Sequence, residues 1–201
     1  MGRGLRMKKL ILGLTGASGS VYFLRLAKAL SKQHVQLHVI ASAQGEKVLA
    51  YETGTTLKNQ VQLLRENGAD ITLEDNGNLF SAAASGSSRF DAMAIVPCSM
   101  STLAMLAHGI TETLLTRAAD VMMKERRKLV LVPRETPLST LHLKNMAELS
   151  QLGAIILPAM PGFYHKPQSM EDIIDFVVGK TLDCLEIENN LYQRWTGEYE
   201  E

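Results

Sequence analysis

The residues best suited to chemistry lie between an apolar run and an amphipathic stretch, at Thr15-Gly16-Ala17-Ser18-Gly19. Leu10–Leu14 reads as a buried strand, and Leu24, Leu26, Ala27 and Leu30 line one face of a helix. A glycine-rich turn between them leaves backbone N–H groups at the positive end of a helix dipole, a ready place for a phosphate. The hydroxyls of Thr15, Ser18 and Ser20 add donors. The competing reading is a tight turn with no ligand. The loop lacks the lysine of a Gly-x-x-x-x-Gly-Lys-Ser/Thr motif and does not match Gly-x-Gly-x-x-Gly. The next strand, Gln36–Ala41, ends at Ser42, where a dinucleotide fold places an acid for the ribose diol. A hydroxyl there suits a mononucleotide phosphate or the polar edge of a flavin better than NAD.

Further candidates follow along the chain. Cys98-Ser99-Met100-Ser101-Thr102 offers hydroxyls at the start of a helix. Arg117 and Lys124, seven apart, share a helical face. Arg126 and Arg127 read as a solvated face. Arg134 differs, because it follows a buried strand and Pro133 and can hold phosphate oxygens bidentately. Glu52 and Glu135 are open to acid–base work or to capping and surface roles. Pro161–Gln168 is an aromatic loop between prolines, either a rigid cover or a place where Tyr164 donates to a phosphate. Other chemistries find little support. Ala104 stands where a Cys-x5-Arg phosphatase needs its arginine, Ser18 is not in a Gly-x-Ser-x-Gly elbow, and the five histidines lack metal-ligand spacing. His142 reads as a structural donor.

The elements that must position these residues alternate. Strands are expected at Leu10–Leu14, Gln36–Ala41, Ile71–Leu73, Ala92–Val96, Leu129–Val132 and Ala154–Leu157. Helical periods cover Gln44–Thr53, Leu57–Asn67, Thr111–Glu125, Ser139–Leu152 and Ser169–Leu185. Ser81–Ser88, small and hydroxyl-rich, reads equally as a flexible linker or a ligand-lining loop. The order implies a three-layer α/β fold, flavodoxin- or Rossmann-like, with a mostly parallel sheet. In such sheets ligands sit beyond the carboxyl ends of the strands, where the polar clusters converge: Thr15–Gly19, Ser42, Cys98–Thr102, Arg134–Glu135 and Pro161–Gln168.

Composition sets the bounds. The 201 residues, 46% hydrophobic, fit one domain over 8–195 with tails at 1–7 and 196–201. Lys+Arg and Asp+Glu both total 21, so bulk charge suggests neither nucleic acid nor membrane surface as a partner. The apolar runs are of strand length, which gives no transmembrane span. Two cysteines, Cys98 and Cys184, form no framework, and a reducing cytoplasm is expected. Met1–Arg6 lacks the apolar core of a signal peptide and precedes a second plausible start at Met7.

Taken together, Thr15–Gly19, Ala84–Ser88, Pro97–Ser99, Arg117–Val121, Lys124–Arg127, Leu131–Pro137 and Pro161–His165 resemble the UbiX-type flavin prenyltransferases, from about Lys8 to Trp195. That resemblance implies flavodoxin-like subunits, commonly dodecameric. They join a dimethylallyl group from dimethylallyl phosphate to N5 and C6 of reduced FMN without a metal. The product, prenylated FMN, goes to a UbiD-type decarboxylase, and ubiquinone synthesis is suggested only through the family. Carried over by position, Gly16, Ala17, Ser18, Ser42, Ser99, Met100, Ser101, Thr102 and Arg134 would bind FMN. Ser18, Glu52, Ser85 and Glu135 would surround the reacting flavin. Arg117, Lys124, Tyr164 and Lys180 would hold dimethylallyl phosphate, with Trp195 near the prenyl pocket. The family usually has arginine where this chain has Lys180, which keeps the charge but loses the planar fork. Two alternatives stand beside this reading: an FMN-dependent cysteine-type decarboxylase, and a flavin carrier. Flavodoxin-like carriers are usually small and acidic, whereas this neutral chain places extra cations at the site.

Overall fold

A computed structural model describes residues 6–197; residues 1–5 and 198–201, which hold most of both expected tails, lie outside the described residues. Six strands form one sheet: β1 (Lys8–Leu14), β2 (Val35–Ala41), β3 (Ile71–Glu74), β4 (Ala92–Cys98), β5 (Lys128–Pro133) and β6 (Ile155–Ile156). Their order is β3-β2-β1-β4-β5-β6, and every neighbouring pair is parallel. The expected three-layer architecture is therefore present, with the Rossmann strand order and a sheet that is parallel throughout the described strands. The order reverses between β1 and β4, which opens a crevice beyond their carboxyl ends.

Alternation along the strands builds two cores. Leu10, Leu12 and Leu14 of β1 face one cluster while Ile11 faces the other. The first cluster is covered by α1 (Ser20–Leu30), α2 (Ala43–Thr53), α3 (Leu57–Glu66) and α7 (Met170–Cys184). The second is covered by α4 (Met100–Ala107), α5 (Leu114–Lys124) and α6 (Thr140–Gln151).

Most helices begin where a hydroxyl can accept an orphan amide. Ser42, Thr56, Ser99, Thr113, Ser139 and Ser169 each cap the helix that follows them. Thr113 stops the expected helix at Thr111 from starting early, and Ser99 makes Met100–Thr102 the first turn of α4 rather than a loop. His142 is structural as expected, but its Nδ1 accepts from the Ser139 amide instead of donating.

One ion pair fastens the first layer. Arg25 of α1 grips Asp175 of α7 with two bonds, Nε to Oδ1 at 2.6 Å and Nη2 to Oδ2 at 2.8 Å. Asp175 is buried, so deleting its carboxylate strands a half-buried guanidinium. We expect Asp175→Ala to lower stability by about 3 kcal/mol in urea titrations. An unchanged midpoint would reduce the pair to an ordinary surface contact.

Candidate functional site

The turn after β1 is shaped by its neighbours. Thr15 is fully buried; its hydroxyl donates to the Pro97 carbonyl at 2.8 Å and accepts from the Ser99 amide at 2.8 Å. It ties the two crevice-forming strands together and is not free to donate to a ligand. Gly16 passes so close to α2 that a Cβ would lie 2.5 Å from Gln44 Cγ. Gly19 takes a left-handed conformation, φ 112°, to turn into α1. Gly45, which sequence reasoning missed, is needed too: a Cβ there would meet the Leu14 carbonyl oxygen at 2.8 Å. Its signal was a glycine in the first turn of an otherwise ordinary helix.

The positive end of α1 is already occupied. Glu52, from the last turn of α2, accepts from the Gly19 amide at 3.1 Å and the Ser20 amide at 2.8 Å. Burial pushes this carboxyl up, but bonds from Ser18 and from the Ser20 and Gly19 amides outweigh it and hold it below its ordinary value. The starts of α2 and α4, which follow β2 and β4 into the crevice, remain open. In α2 the Ser42 hydroxyl takes only the Gly45 amide, and in α4 the Ser99 hydroxyl takes the Thr102 amide and shares a bond with the Thr102 hydroxyl at 3.0 Å. The intervening amides of Ala43, Gln44, Met100 and Ser101 have no protein acceptor among the described residues. Arg134 reaches the same crevice from the end of β5. Its Nε donates to the Ser18 carbonyl at 3.1 Å, and no described residue pairs with the rest of its guanidinium. This set fits a mononucleotide phosphate: open amides at two helix N-termini, hydroxyls and a guanidinium. Glu135 is exposed and accepts from the Thr136 amide at 3.0 Å, so it does not orient Arg134.

The remaining residues gather elsewhere. Ala159 bonds to the Pro133 carbonyl, which carries the aromatic loop out from beside Arg134. There Tyr164 packs edge-on against Phe176 of α7 at 5.7 Å and against Trp195 at 6.1 Å, with both Tyr164 and Trp195 exposed. The terminal segment docks on its own α7, where Arg194, Tyr192 and Asn189 all bond to Asp183. Ser85, exposed, meets only Ser87, while Arg117 of α5 pairs with Asp120 and donates to the Ala84 carbonyl. Lys124 closes α5 in an ion pair with Glu125, next to the start of β5. Lys180 sits late on α7, where its charge is felt by Cys184 together with that of Lys128, the first residue of β5. Within one chain, therefore, Ser18, Glu52, Ser42, Ser99–Thr102, Arg134 and Glu135 form one group at the carboxyl edge. No hydrogen bond or ion pair among the described residues joins Ser85, Arg117, Lys124 or Lys180 to it.

A cleft of about 730 Å³ opens at the opposite edge, lined by Lys124, Arg126, Arg127 and Lys128 with Leu152 and Gly153. Its cations flank the carbonyl ends of α5 and α6, which they complement. The described residues hold no group of three or more His, Cys, Asp or Glu placed to bind a metal, and Cys98, fully buried, has its thiol pushed up to about 12 by burial. No described helix is long and apolar enough to cross a membrane.

Comparison with known proteins names this arrangement. The Flavoprotein family model matches residues 2–182. A flavin prenyltransferase UbiX of Methanothermobacter thermautotrophicus is 50% identical over 193 residues, covering 95% of this chain and 97% of that protein. The chain belongs to the UbiX flavin prenyltransferase family. Among solved structures, AnUbiX (PadA1) in complex with FMN and dimethylallyl pyrophosphate superposes with a TM-score of 0.90 at 40% identity, covering 96% of this chain and 100% of that one. A dodecameric FMN-dependent UbiX-like decarboxylase from Escherichia coli O157:H7 gives 0.88 at 40% identity, covering 94% and 100%. The peptidyl-cysteine decarboxylase EpiD, at 16% identity and 0.61, shares the fold alone.

Because Glu52 titrates lower in the folded protein than its ordinary 4.5, its capping contribution is complete above that value and is lost as pH falls through the folded pKa. Glu52→Gln is expected to shrink the stability difference between neutral and acid solution, measured by urea unfolding at both. An unaltered difference would mean the carboxylate does not anchor α1.

Proposed function

We propose that this chain transfers a dimethylallyl group from dimethylallyl phosphate to N5 and then C6 of reduced FMN, and that a UbiD-type decarboxylase receives the product. The observation that carries the reading is the likeness to a solved relative described with both FMN and dimethylallyl pyrophosphate, at 40% identity over almost the whole chain. Reduced FMN supplies the electron-rich nitrogen that captures the allyl group. The protein supplies the rest. The N-termini of α2 and α4, with Ser42, Thr102 and Arg134, hold the flavin phosphate, while Gly16–Ser18 and Glu52 flank the reacting part. The absence of an acid after β2 argues against NAD.

Arg117, Lys124, Lys180 and Tyr164 stabilise the departing phosphate, and preorganised charge of this kind is usually the largest catalytic contribution. Since these cations sit apart from the crevice within one chain, we infer that the site is completed by other copies, in keeping with the dodecameric relative. Fully exposed Phe80 and almost fully exposed Tyr51 are available for such contacts. Glu135 moves a proton between the flavin edge and the phosphate, a role its freedom from Arg134 leaves open.

Anaerobic incubation with reduced FMN and dimethylallyl phosphate should yield a flavin heavier by one dimethylallyl unit, and titration should show FMN binding without NAD. Unmodified flavin would refute the transfer. Glu135→Gln should bind FMN normally yet turn over about a hundredfold more slowly; normal turnover would remove Glu135 from the mechanism.

A further inference from the structure

The segment Asp75–Phe90, between β3 and β4, lies against α5 and carries Ser85. Asn76 accepts from the first two amides of α5, Leu114 through its carbonyl at 2.8 Å and Leu115 through Oδ1 at 2.9 Å. Arg117 Nε donates to the Ala84 carbonyl at 3.3 Å and Arg127 Nη2 to the Gly86 carbonyl at 2.6 Å. Both ends of this strap converge on a polar pair that the reaction does not use. His38 of β2 lies opposite Thr72, one diagonal from Glu74 at the end of β3, and its Nδ1 is 2.6 Å from Glu74 Oε1. Both side chains are largely buried, 14% and 13% exposed. Glu74 Oε2 accepts from the Ser81 hydroxyl at 2.9 Å, and Ser81 Oγ in turn accepts from the Ala83 amide at 3.2 Å, fixing the turn Ala82–Ala84. At the far end, Phe90 meets the His38 ring edge to face at 4.8 Å.

A polar pair on a largely buried sheet face costs desolvation, and apolar residues of similar size would serve stability as well or better. What such a pair adds is direction, since His38 holds one oxygen of the carboxyl group while the Ser81 hydroxyl holds the other. We propose that His38 and Glu74 are positioning residues that hold the Asp75–Phe90 strap and thereby aim Arg117 at the phosphate of dimethylallyl phosphate. The inference rests on the reading of Arg117 as a phosphate-binding residue. Neither His38 nor Glu74 touches substrate. They act through Ser81, the Ala82–Ala84 turn and the Ala84 carbonyl that Arg117 grips.

The test compares Glu74→Gln, Ser81→Ala, Arg117→Ala and the Glu74→Gln/Arg117→Ala double variant in the full chain. It measures KM for dimethylallyl phosphate, kcat, FMN affinity and the urea midpoint. Glu74→Gln and Ser81→Ala should each raise KM about fivefold, with kcat and FMN affinity held within about twofold. In the Arg117→Ala background, Glu74→Gln should add nothing further, a non-additivity that a purely structural role does not produce. A lower urea midpoint with unchanged KM, or a full additive effect in the double variant, would overturn the proposal. If Glu74→Gln does not fold, an unchanged KM in Ser81→Ala overturns it alone. An unchanged KM in Arg117→Ala refutes the underlying assignment of that residue and the proposal with it, whereas a raised KM there with none in the strap variants refutes only the strap.

Discussion

The carboxylate of Glu52 at the N-terminus of α1 governs the organisation of the carboxyl edge. It takes the amides of Gly19 and Ser20, the groups an external anion would otherwise use, and places a fixed negative charge beside Ser18. The glycine turn forms a wall of the crevice, braced by Thr15 beneath and by Arg134 on the Ser18 carbonyl. Under the proposed function the phosphate is held instead by α2 and α4, whose first amides have no protein acceptor among the described residues. One side chain from the end of α2 thus occupies the positive end of α1.

Local pattern made the fold legible. Apolar runs of strand length and helical periods marked every strand and most helices, because each signal lies within a few neighbouring residues. The convergence of Thr15–Gly19, Ser42, Ser99–Thr102 and Arg134 followed from the parallel sheet alone. What stayed hidden depends on distance along the chain. Glu52 is 33 residues from Gly19, and its role becomes visible only when α2 returns to the start of α1. The strap over α5 reads as either linker or loop in sequence because the bonds that fix it come from β2, β3 and α5. The resemblance to the UbiX family supplied site residues by position, but not the fact that one chain scatters them.

That scatter is a consequence of helix direction. α5 runs into the start of β5 and α7 runs back from beyond β6, so Lys124 and Lys180, late on these helices, lie away from the crevice, while Arg117 in the first turn of α5 is turned to Asp120 and Ala84. Lys124 ends beside the start of β5, and Cys184 at the end of α7 feels both Lys180 and Lys128, the first residue of that strand. Under the proposed function these charges must meet the flavin of another copy. The basic, exposed face around Lys124 and the aromatic rim of Tyr164 and Trp195 are then parts of a shared site.

Complementation between two disabled variants measures this claim most directly. Glu52→Ala damages the crevice and Arg117→Ala the distant cation, and each alone should form little prenylated flavin. Unfolding, mixing and refolding the two together distributes them through one assembly, so some sites receive an intact crevice from one copy and an intact Arg117 from another. The account predicts that activity returns in the mixed assembly well above the sum of the separately refolded variants. Activity no greater than that sum, with mixed assemblies confirmed by mass, would place the whole site within a single chain and contradict it.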